Sequence, residues 1–349
     1  VVVQPEDEIS SIHMAIGASF AGVRAMCATA GGGFCLMTEG FGLAGITELP
    51  IVVVVGQRGA PATGLPTKTE QSDLKFVVSS GHGEIARIVI APTDVDDAFY
   101  STIEAFELAD KFQVPAILLV DKYMCVNGKT TDKISTKNVK LDQGLISDRD
   151  LDVNFKRYDF NTPDGVSLRS IPGQKNGMYN ASSDEHDENG QLIENPEPRI
   201  KMMQKRLKKI EFIKKALPKP ELYGDRNADI TLIGWGSTKY AIREALHEIS
   251  DSANLSINHL HIKYMAPFQS EDIKSILQGC KRLIIIEGNY TGQLASLIRE
   301  ETGIEIKNKI LKYDGKQFTA DDVYKKVMGV LGNGISGTIQ NPSFGGVKW

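Results

Sequence analysis

Three short stretches of the sequence combine residue types that do chemistry in enzymes. The first is Gln4-Pro5-Glu6-Asp7-Glu8, where three acids precede apolar residues at helical spacing. Acids in the first turn of a helix complement the partial positive charge of its N-terminus. A carboxylate at the carboxyl end of a strand can instead bind a ligand, because ligands of parallel sheets gather at that edge. The residue types alone leave both interpretations open for Glu6.

The second stretch runs from Thr29 to Phe34 and contains Gly31, Gly32 and Gly33 between a predicted strand and a predicted helix. Glycines at such a junction let the backbone approach a ligand closely, although a tight turn would need them as well. The pattern is neither G-x-G-x-x-G nor a Walker loop, so it is weak evidence for nucleotide binding.

The third stretch begins at Gly56, after a predicted buried strand, and is rich in Gly and Pro. Its first charge is Arg58. A guanidinium at the ligand edge of a sheet suits a carboxylate, which it can hold through two parallel hydrogen bonds. A structural ion pair with Glu70 or Asp73 is the alternative.

Two further clusters are weaker candidates. Residues 81–84 read Gly-His-Gly-Glu, and residues 185–188 read Glu-His-Asp-Glu. Adjacent residues rarely converge on one ion, and metal sites usually draw ligands from separate positions. We therefore predict no metal site in this chain.

The predicted elements place all three stretches at one sheet edge. Short β-branched runs alternate with segments of helical spacing, which predicts a parallel sheet covered by helices on both faces. The pattern predicts strands at 1–4, 24–28, 50–55, 85–90 and 115–120, and helices at 6–22, 34–44 and 95–111.

The rest of the chain predicts a second α/β domain. Regular alternation returns over residues 226–331, after a polar, irregular connecting region at 126–225 and before a Gly-rich arm at 332–349. The fold class is thus α/β with two doubly wound domains, the first covering 1–125.

The connecting region carries one predicted helix, at 197–217, with a marked excess of basic residues. Eight cations lie on it: Arg199, Lys201, Lys205, Arg206, Lys208, Lys209, Lys214 and Lys215. Such a run is usually the solvated face of a helix, although it could bind a phosphate-rich partner.

Composition excludes several classes of protein. The 349 residues carry a net charge of −4, which argues against nucleic acid as the main partner. Four scattered cysteines lack the spacing of an iron–sulfur or zinc site and favour a reducing, cytoplasmic setting. No apolar run reaches the roughly 20 residues of a membrane-spanning helix. The chain begins with Val1, as a segment of a longer protein would.

Longer segments extend these stretches into a recognisable order. They are QPEDEISSIHMAIGASFAGVRAMCATAGGGFCLMTEG, QRGAPATGLPTKTEQSDL and GHGEIARIVIAP, followed by EHDENG, EGNYTGQL and KYDGKQF. Over nearly the whole chain they resemble the α subunit, or α region, of 2-oxoacid:ferredoxin oxidoreductases. The family's Y-P-I-T-P motif is absent, which suggests that it and a fused γ region precede Val1.

The resemblance implies a thiamine diphosphate enzyme in which this chain supplies the pyrimidine side of the cofactor site. Glu6 corresponds to the glutamate that pairs with the pyrimidine N1′, and Arg58 to the residue that binds the 2-oxoacid carboxylate, with Thr63 as a further substrate contact. The cofactor is expected against the 29–34 stretch, which consists of Thr29, Gly31, Gly32, Gly33 and Phe34. The second domain resembles the C-terminal domain of transketolase, where the turn at 287–293 would be structural or an interface.

The implied reaction is the coenzyme A-dependent oxidative decarboxylation of a 2-oxoacid, such as pyruvate or 2-oxoglutarate, with reduction of ferredoxin. A partner β subunit would supply the diphosphate–Mg²⁺ half of the site and a [4Fe-4S] cluster, which this chain lacks the cysteines to hold. Two alternatives remain: another thiamine enzyme, such as a transketolase or a 2-oxoacid dehydrogenase component, and a non-catalytic assembly subunit.

Overall fold

The computed structural model describes residues 1–137, 139, 142–332 and 338–339. Its first half builds one sheet and the helices that flank it. In chain order these elements are α1 (Glu8–Phe20), β1 (Met26–Ala30), α2 (Gly31–Ile46), β2 (Val52–Gln57), α3 (Leu74–Ser79), β3 (Ile88–Ile90), α4 (Val95–Phe112), β4 (Ala116–Asp121) and α5 (Lys122–Val126).

The first sheet has the strand order β1-β2-β4-β3-β8, where β8 (Tyr264–Ala266) comes from the second half of the chain. The first four strands are parallel, and β8 pairs with β3 in the antiparallel direction. Val53 lies opposite Ile117 in the register, and both side chains are fully buried. Helices on both faces explain why these strands are continuous runs of Val, Ile and Leu.

The second half builds a sheet of the order β11-β10-β9-β6-β7-β5, parallel except at β5. Its remaining elements are α6 (Pro196–Ala216), β5 (Glu221–Tyr223), β6 (Ile230–Trp235), α7 (Thr238–Ala253), β7 (Ile257–Ile262), α8 (Ser270–Gln278), β9 (Leu283–Glu287), α9 (Gln293–Thr302), β10 (Asn308–Leu311), α10 (Ala320–Gly332) and β11 (Thr338–Ile339). The α/β prediction with two sheets is confirmed.

Several predicted elements differ from the structure at their ends or in kind. Residues 1–4 are not a strand, and Gly31 begins α2 directly after β1 without a separate turn. The short elements α3, α5, β5 and β8 carry too few residues for a periodic signal, so the sequence did not predict them. Of the predicted arm, Gly332 ends α10 and residues 338–339 form β11. Residues 333–337 and 340–349 lie outside the described residues.

The basic helix is not a fully solvated face, so that prediction is wrong at three of its eight cations. Lys205, Arg206 and Lys209 are buried. Lys205 Nζ lies 2.7 Å from the Glu48 carboxylate, which also pairs with Lys209, so α6 is docked on the first domain through buried charge. Within the part of the chain that is described, no helix is long and apolar enough to cross a membrane.

Candidate active site at the N-terminus of α2

The acidic stretch divides between a helix cap and a site residue. Asp7 is the N-cap of α1, since its Oδ1 accepts a hydrogen bond of 2.7 Å from the Ser10 backbone N–H. Of the two roles considered for these acids, Asp7 therefore has the one at the helix N-terminus. Glu6 lies before the helix and is exposed to solvent.

Glu8 is the acid that reaches the glycine stretch. Its side chain is half-buried, and its Oε1 accepts a hydrogen bond of 3.3 Å from Thr29 Oγ1. A Cβ atom on Gly33 would overlap Thr29 Oγ1 and come within 2.5 Å of Glu8 Oε1. Position 33 therefore requires glycine so that the first turn of α2 can lie against this carboxylate.

A second carboxylate, Asp73, lies against the first residue of α2. A Cβ atom on Gly31 would overlap the Asp73 carboxylate. The Asp73 backbone N–H donates a 3.1 Å hydrogen bond to Gln57 Oε1 at the end of β2. Burial raises the pKa of Asp73 to about 6, although the nearby charge of Arg58 opposes the shift.

Arg58 is half-buried and has no hydrogen bond or ion pair to any residue that the structure describes. Asp73 influences it only through the longer-range Coulombic interaction, and Glu70 accepts a hydrogen bond of 3.2 Å from the Ala60 backbone instead. The expected alternative, a structural ion pair with one of these two acids, is not formed. The guanidinium is therefore available to an anionic ligand.

The loop after Arg58 folds back over the N-terminus of α2. Leu65 N–H donates a 2.7 Å hydrogen bond to Gly59 O, which closes the loop, and Ala62 and Gly64 adopt left-handed backbone conformations. The Ala62 carbonyl oxygen lies 4.0 Å from the position of a Cβ on Gly32. Thr63, the next residue, is exposed.

Phe34 is, with Glu6, one of two predicted cofactor contacts that the structure places away from the site. Its side chain is fully buried in the core, where its ring meets Phe41 and Phe76 edge-on. The residue follows three glycines in sequence, but the helical turn directs its side chain inward.

The site therefore contains Glu8, Thr29, Gly31, Gly33, Arg58 and Asp73. Sequence reasoning missed Glu8 and Asp73 as site residues. Glu8 follows two other acids, and only the start of α1 decides which of the three faces Gly33. Asp73 precedes a helix of six residues that has no periodic signal, so the sequence indicated it only as a possible ion-pair partner of Arg58.

Of the two weaker clusters, residues 185–188 have a structural role, whereas His82 and Glu84 of the other cluster are exposed. Glu185 pairs with Arg206 at 2.7 Å and with Arg199, and both ring nitrogens of His186 lie within 3.3 Å of backbone carbonyl oxygens. In the described residues no group of three or more His, Cys, Asp or Glu side chains could hold a metal ion.

A cavity of about 530 Å³ lies beside the C-terminal half of α2 and α6. The Arg and Lys side chains that line it are Arg199, Arg206 and Lys209. They are already paired with Glu185 or Glu48, which leaves little free positive charge in this cavity for a phosphate-rich partner.

Comparison with known proteins defines the class. Residues 1–205 match the family described as pyruvate flavodoxin/ferredoxin oxidoreductase, thiamine diphosphate-binding. The match covers more than half of the chain, so the chain belongs to this family, and the resemblance seen in the sequence is confirmed.

Named relatives agree with this class. The chain is 38% identical over 346 residues to the α subunit of 2-oxoacid:ferredoxin oxidoreductase 1 from Sulfurisphaera tokodaii, covering 98% of this chain and 54% of the relative. It is 29% identical over 335 residues to the 2-oxoglutarate synthase subunit KorA of Methanothermobacter marburgensis, covering 95% of this chain and 87% of that one. The chain thus spans about half the length of the first of these relatives.

Solved structures share the fold. The 2-oxoglutarate:ferredoxin oxidoreductase from Magnetococcus marinus, with 2-oxoglutarate, coenzyme A and succinyl-CoA bound, superposes with a TM-score of 0.88 at 34% identity, covering 94% of this chain and 57% of that one. A split-gene transketolase, an inactive β4 tetramer, superposes with a TM-score of 0.54 at 12% identity over 93% of this chain and 81% of that one, which shows the fold alone.

Proposed function

We propose that this chain is the pyrimidine-side α region of a thiamine diphosphate-dependent 2-oxoacid:ferredoxin oxidoreductase. The whole enzyme would convert a 2-oxoacid, coenzyme A and two oxidised ferredoxins into acyl-CoA, CO₂, a proton and two reduced ferredoxins. The observation that carries the proposal is the arrangement at the start of α2: a half-buried carboxylate, Glu8, at Gly33, and an unpaired guanidinium, Arg58, near the Asp73 carboxylate that lies against Gly31.

The residues present fit the pyrimidine end of thiamine diphosphate. Glu8 lies in a glycine-lined cradle, and its carboxylate can share a proton with the pyrimidine N1′, which increases the basicity of the neighbouring 4′-nitrogen. The Nε2 of Gln57, buried without a partner at the adjoining strand end, is a further polar group. When bound, thiamine diphosphate supplies the nucleophilic carbon that adds to the keto group and holds the electron pair when CO₂ leaves.

The proposal thus favours Glu8 over Glu6, the residue that the resemblance indicated, for the contact with N1′. Glu6 is exposed and precedes the helix, whereas Glu8 contacts Thr29 and lies beside Gly33. Arg58 binds the carboxylate of the 2-oxoacid through two parallel hydrogen bonds. Thr63, exposed in the loop that follows Arg58, is a further substrate contact in this proposal.

Partners complete the site in this proposal. A β subunit supplies the diphosphate–Mg²⁺ half and the [4Fe-4S] cluster, because the described residues contain no suitable ligand group. Exposed apolar side chains on α1 and α2, among them Ile9, Met14 and Leu36, suit a subunit contact. We place the enzyme in the cytoplasm, where its four free cysteines would stay reduced. A fused γ region stays a prediction.

The test uses the full-length protein that contains this chain, purified together with its partner subunits. With thiamine diphosphate, Mg²⁺ and coenzyme A, a viologen dye is reduced only when a 2-oxoacid is present. Pyruvate, 2-oxobutyrate, 2-oxoglutarate, branched-chain and aryl 2-oxoacids form the substrate panel. An intact complex that reduces no dye but transfers a ketol group to an aldose would instead support a transketolase.

A further inference from the structure

The turn at the start of α9 contacts a segment of the first domain at residues 69–75, which we call the 69–75 segment. Gln71 is buried in this contact. Its backbone N–H donates to Gly288 O at 2.6 Å, and its carbonyl accepts from Asn289 Nδ2 at 3.1 Å. Its side-chain amide also donates to Trp235 O at 3.0 Å and accepts from Gly288 N–H at 2.9 Å. Both the backbone and the side chain of Gln71 are therefore held by the second domain.

Gln293 holds the same segment on both sides of Asp73. Its Nε2 donates to Ser72 O at 2.6 Å, and its Oε1 accepts from the Lys75 backbone N–H at 2.9 Å. The start of the segment is held as well, because Thr69 N–H donates a hydrogen bond of 3.2 Å to Gly315 O.

The turn that makes these contacts is itself preorganised. Glu287 is fully buried and accepts hydrogen bonds from Leu294 N–H at 2.8 Å, Ala295 N–H at 3.0 Å and Asn289 Nδ2 at 2.9 Å. Asn289 Oδ1 accepts from Gly292 N–H at 2.8 Å. Groups that are already ordered lose little entropy when they hold another segment, so this turn can act as a fixed reference.

The other side of the segment faces the proposed site. Asp73 lies against Gly31, close to the Arg58 guanidinium, and its N–H bonds to the side chain of Gln57, the residue before Arg58. The chain of contacts from Gln293 to Arg58 therefore runs through Asp73 and Gln57.

We propose that Asn289 and Gln293 of the second domain are positioning residues for the substrate site, setting the place of Asp73 and of Arg58 through the 69–75 segment. This rests on the proposed function, in which Arg58 binds the 2-oxoacid. The second domain then contributes to catalysis as well as to packing.

The test compares Gln293→Ala with Tyr264→Phe in the full complex. Gln293→Ala removes two hydrogen bonds to the 69–75 segment. Tyr264→Phe removes a hydrogen bond of 2.6 Å to Glu104, which joins β8 to α4 elsewhere between the two halves of the chain. We expect Gln293→Ala to raise the KM for the 2-oxoacid about tenfold, with kcat changed much less, because two net hydrogen bonds are worth about that factor. Tyr264→Phe should lower only the melting temperature.

An unchanged KM in Gln293→Ala would overturn the proposal, even if its melting temperature falls. If that variant does not fold, Gln293→Glu serves, since it keeps the acceptor for Lys75 but loses the donor to Ser72; a raised KM supports the proposal and an unchanged one overturns it. Amide hydrogen exchange gives a readout that needs no activity. Faster exchange across residues 69–75 in the variant supports the positioning role, whereas unchanged exchange would contradict it. Failure of the wild-type complex to oxidise 2-oxoacids would overturn only the proposed function.

Discussion

Arg58 is a half-buried cation that no acid of the described chain neutralises by direct contact. Leaving such a charge unpaired is costly unless a ligand compensates it. A 2-oxoacid carries the planar carboxylate that a guanidinium binds best. In the proposed function a 2-oxoacid supplies the compensating carboxylate. The loop of residues 59–66 leaves Arg58 free for it, because Glu70 accepts a hydrogen bond from the Ala60 backbone N–H instead.

Replacing Arg58 by Ala should raise the KM for the 2-oxoacid about 10- to 100-fold, the value of a charge-assisted hydrogen bond. Arg58→Lys keeps the charge but loses the paired geometry, so its KM should lie between those of Ala and wild type. Steady-state kinetics, with the melting temperature as control, distinguish a substrate-binding arginine from a structural one. A lower melting temperature with an unchanged KM would instead show a structural arginine.

Asp73 should make substrate binding depend on pH. Its pKa is raised to about 6 by burial, against the effect of Arg58. Below that pH it is neutral, and above it the carboxylate offsets the charge of Arg58. The KM for the 2-oxoacid should therefore rise as the pH increases through about 6. Asp73→Asn should abolish this rise, and the same pH profile in both proteins would refute the role of Asp73.

For single residues of the candidate site, the sequence predicted the chemical type of the side chain better than its position. The residue types placed an acid, a glycine stretch and an arginine at one sheet edge, and the structure brings all three together. Whether Glu6 or Glu8 faces Gly33 depends on where α1 begins, and that is decided by the Asp7 cap and by packing on α2.

Helix α2 is the element that gathers the site, because both carboxylates lie against its first turn. Its N-terminal residues are glycines and carry no side-chain cap, so the approach of Glu8 and Asp73 is not blocked. Exposed N–H groups and the helix dipole favour negative charge at this end.

Gly33→Ala should weaken thiamine diphosphate binding and activity, because the added methyl would overlap Thr29 and displace Glu8. Overpacking of this kind costs about 1–3 kcal/mol. Gly17→Ala in α1 is the control, since nothing lies within 4 Å of a Cβ there. That variant should retain cofactor affinity and gain up to about 1 kcal/mol of stability, as a helical Gly-to-Ala change does. Titration with thiamine diphosphate measures the affinity of both variants. Wild-type affinity in Gly33→Ala would contradict the prediction.

Long elements were predictable from periodicity, and short ones were not. Ile12 and Ile16 of α1 lie four residues apart on one face of the helix and are buried, whereas Ile9, in the same helical pattern, is exposed. By contrast, β8 has only three residues, and it pairs with β3, which lies more than 170 positions earlier in the sequence. Such pairing is a tertiary property that local pattern does not encode.

On the scale of the whole molecule, buried charge joins the connecting helix to the first domain. Glu48 is fully buried with Lys205 and Lys209. Burial alone would raise the pKa of Glu48, but the charges of Lys205, Lys209 and Arg157 lower it overall. The sequence showed an excess of lysine on α6, yet the partner acid lies 157 residues away from Lys205, beyond any local pattern.

Glu48→Gln should destabilise the protein by about 3–5 kcal/mol, because it removes the anion that the buried Lys205 and Lys209 share. Glu197→Gln, which removes an exposed pair on the same helix, should leave the free energy of unfolding unchanged. Since the pKa of Glu48 is lowered in the folded state, its contribution is complete above about pH 4 and is lost at lower pH. Denaturant unfolding at neutral and acid pH measures both effects, and equal stability of the two variants would contradict the assignment.

The most direct test of the proposed active site is the pair Glu8→Gln and Glu6→Gln, assayed for 2-oxoacid-dependent dye reduction in the assembled complex. If Glu8 exchanges the proton at the pyrimidine N1′, Glu8→Gln should lower kcat by about 10²- to 10⁴-fold. Glu6→Gln changes an exposed residue and should stay within about twofold of wild type. The reverse outcome, with Glu6→Gln inactive and Glu8→Gln active, would contradict the assignment, and full activity in both variants would contradict a thiamine site on this chain.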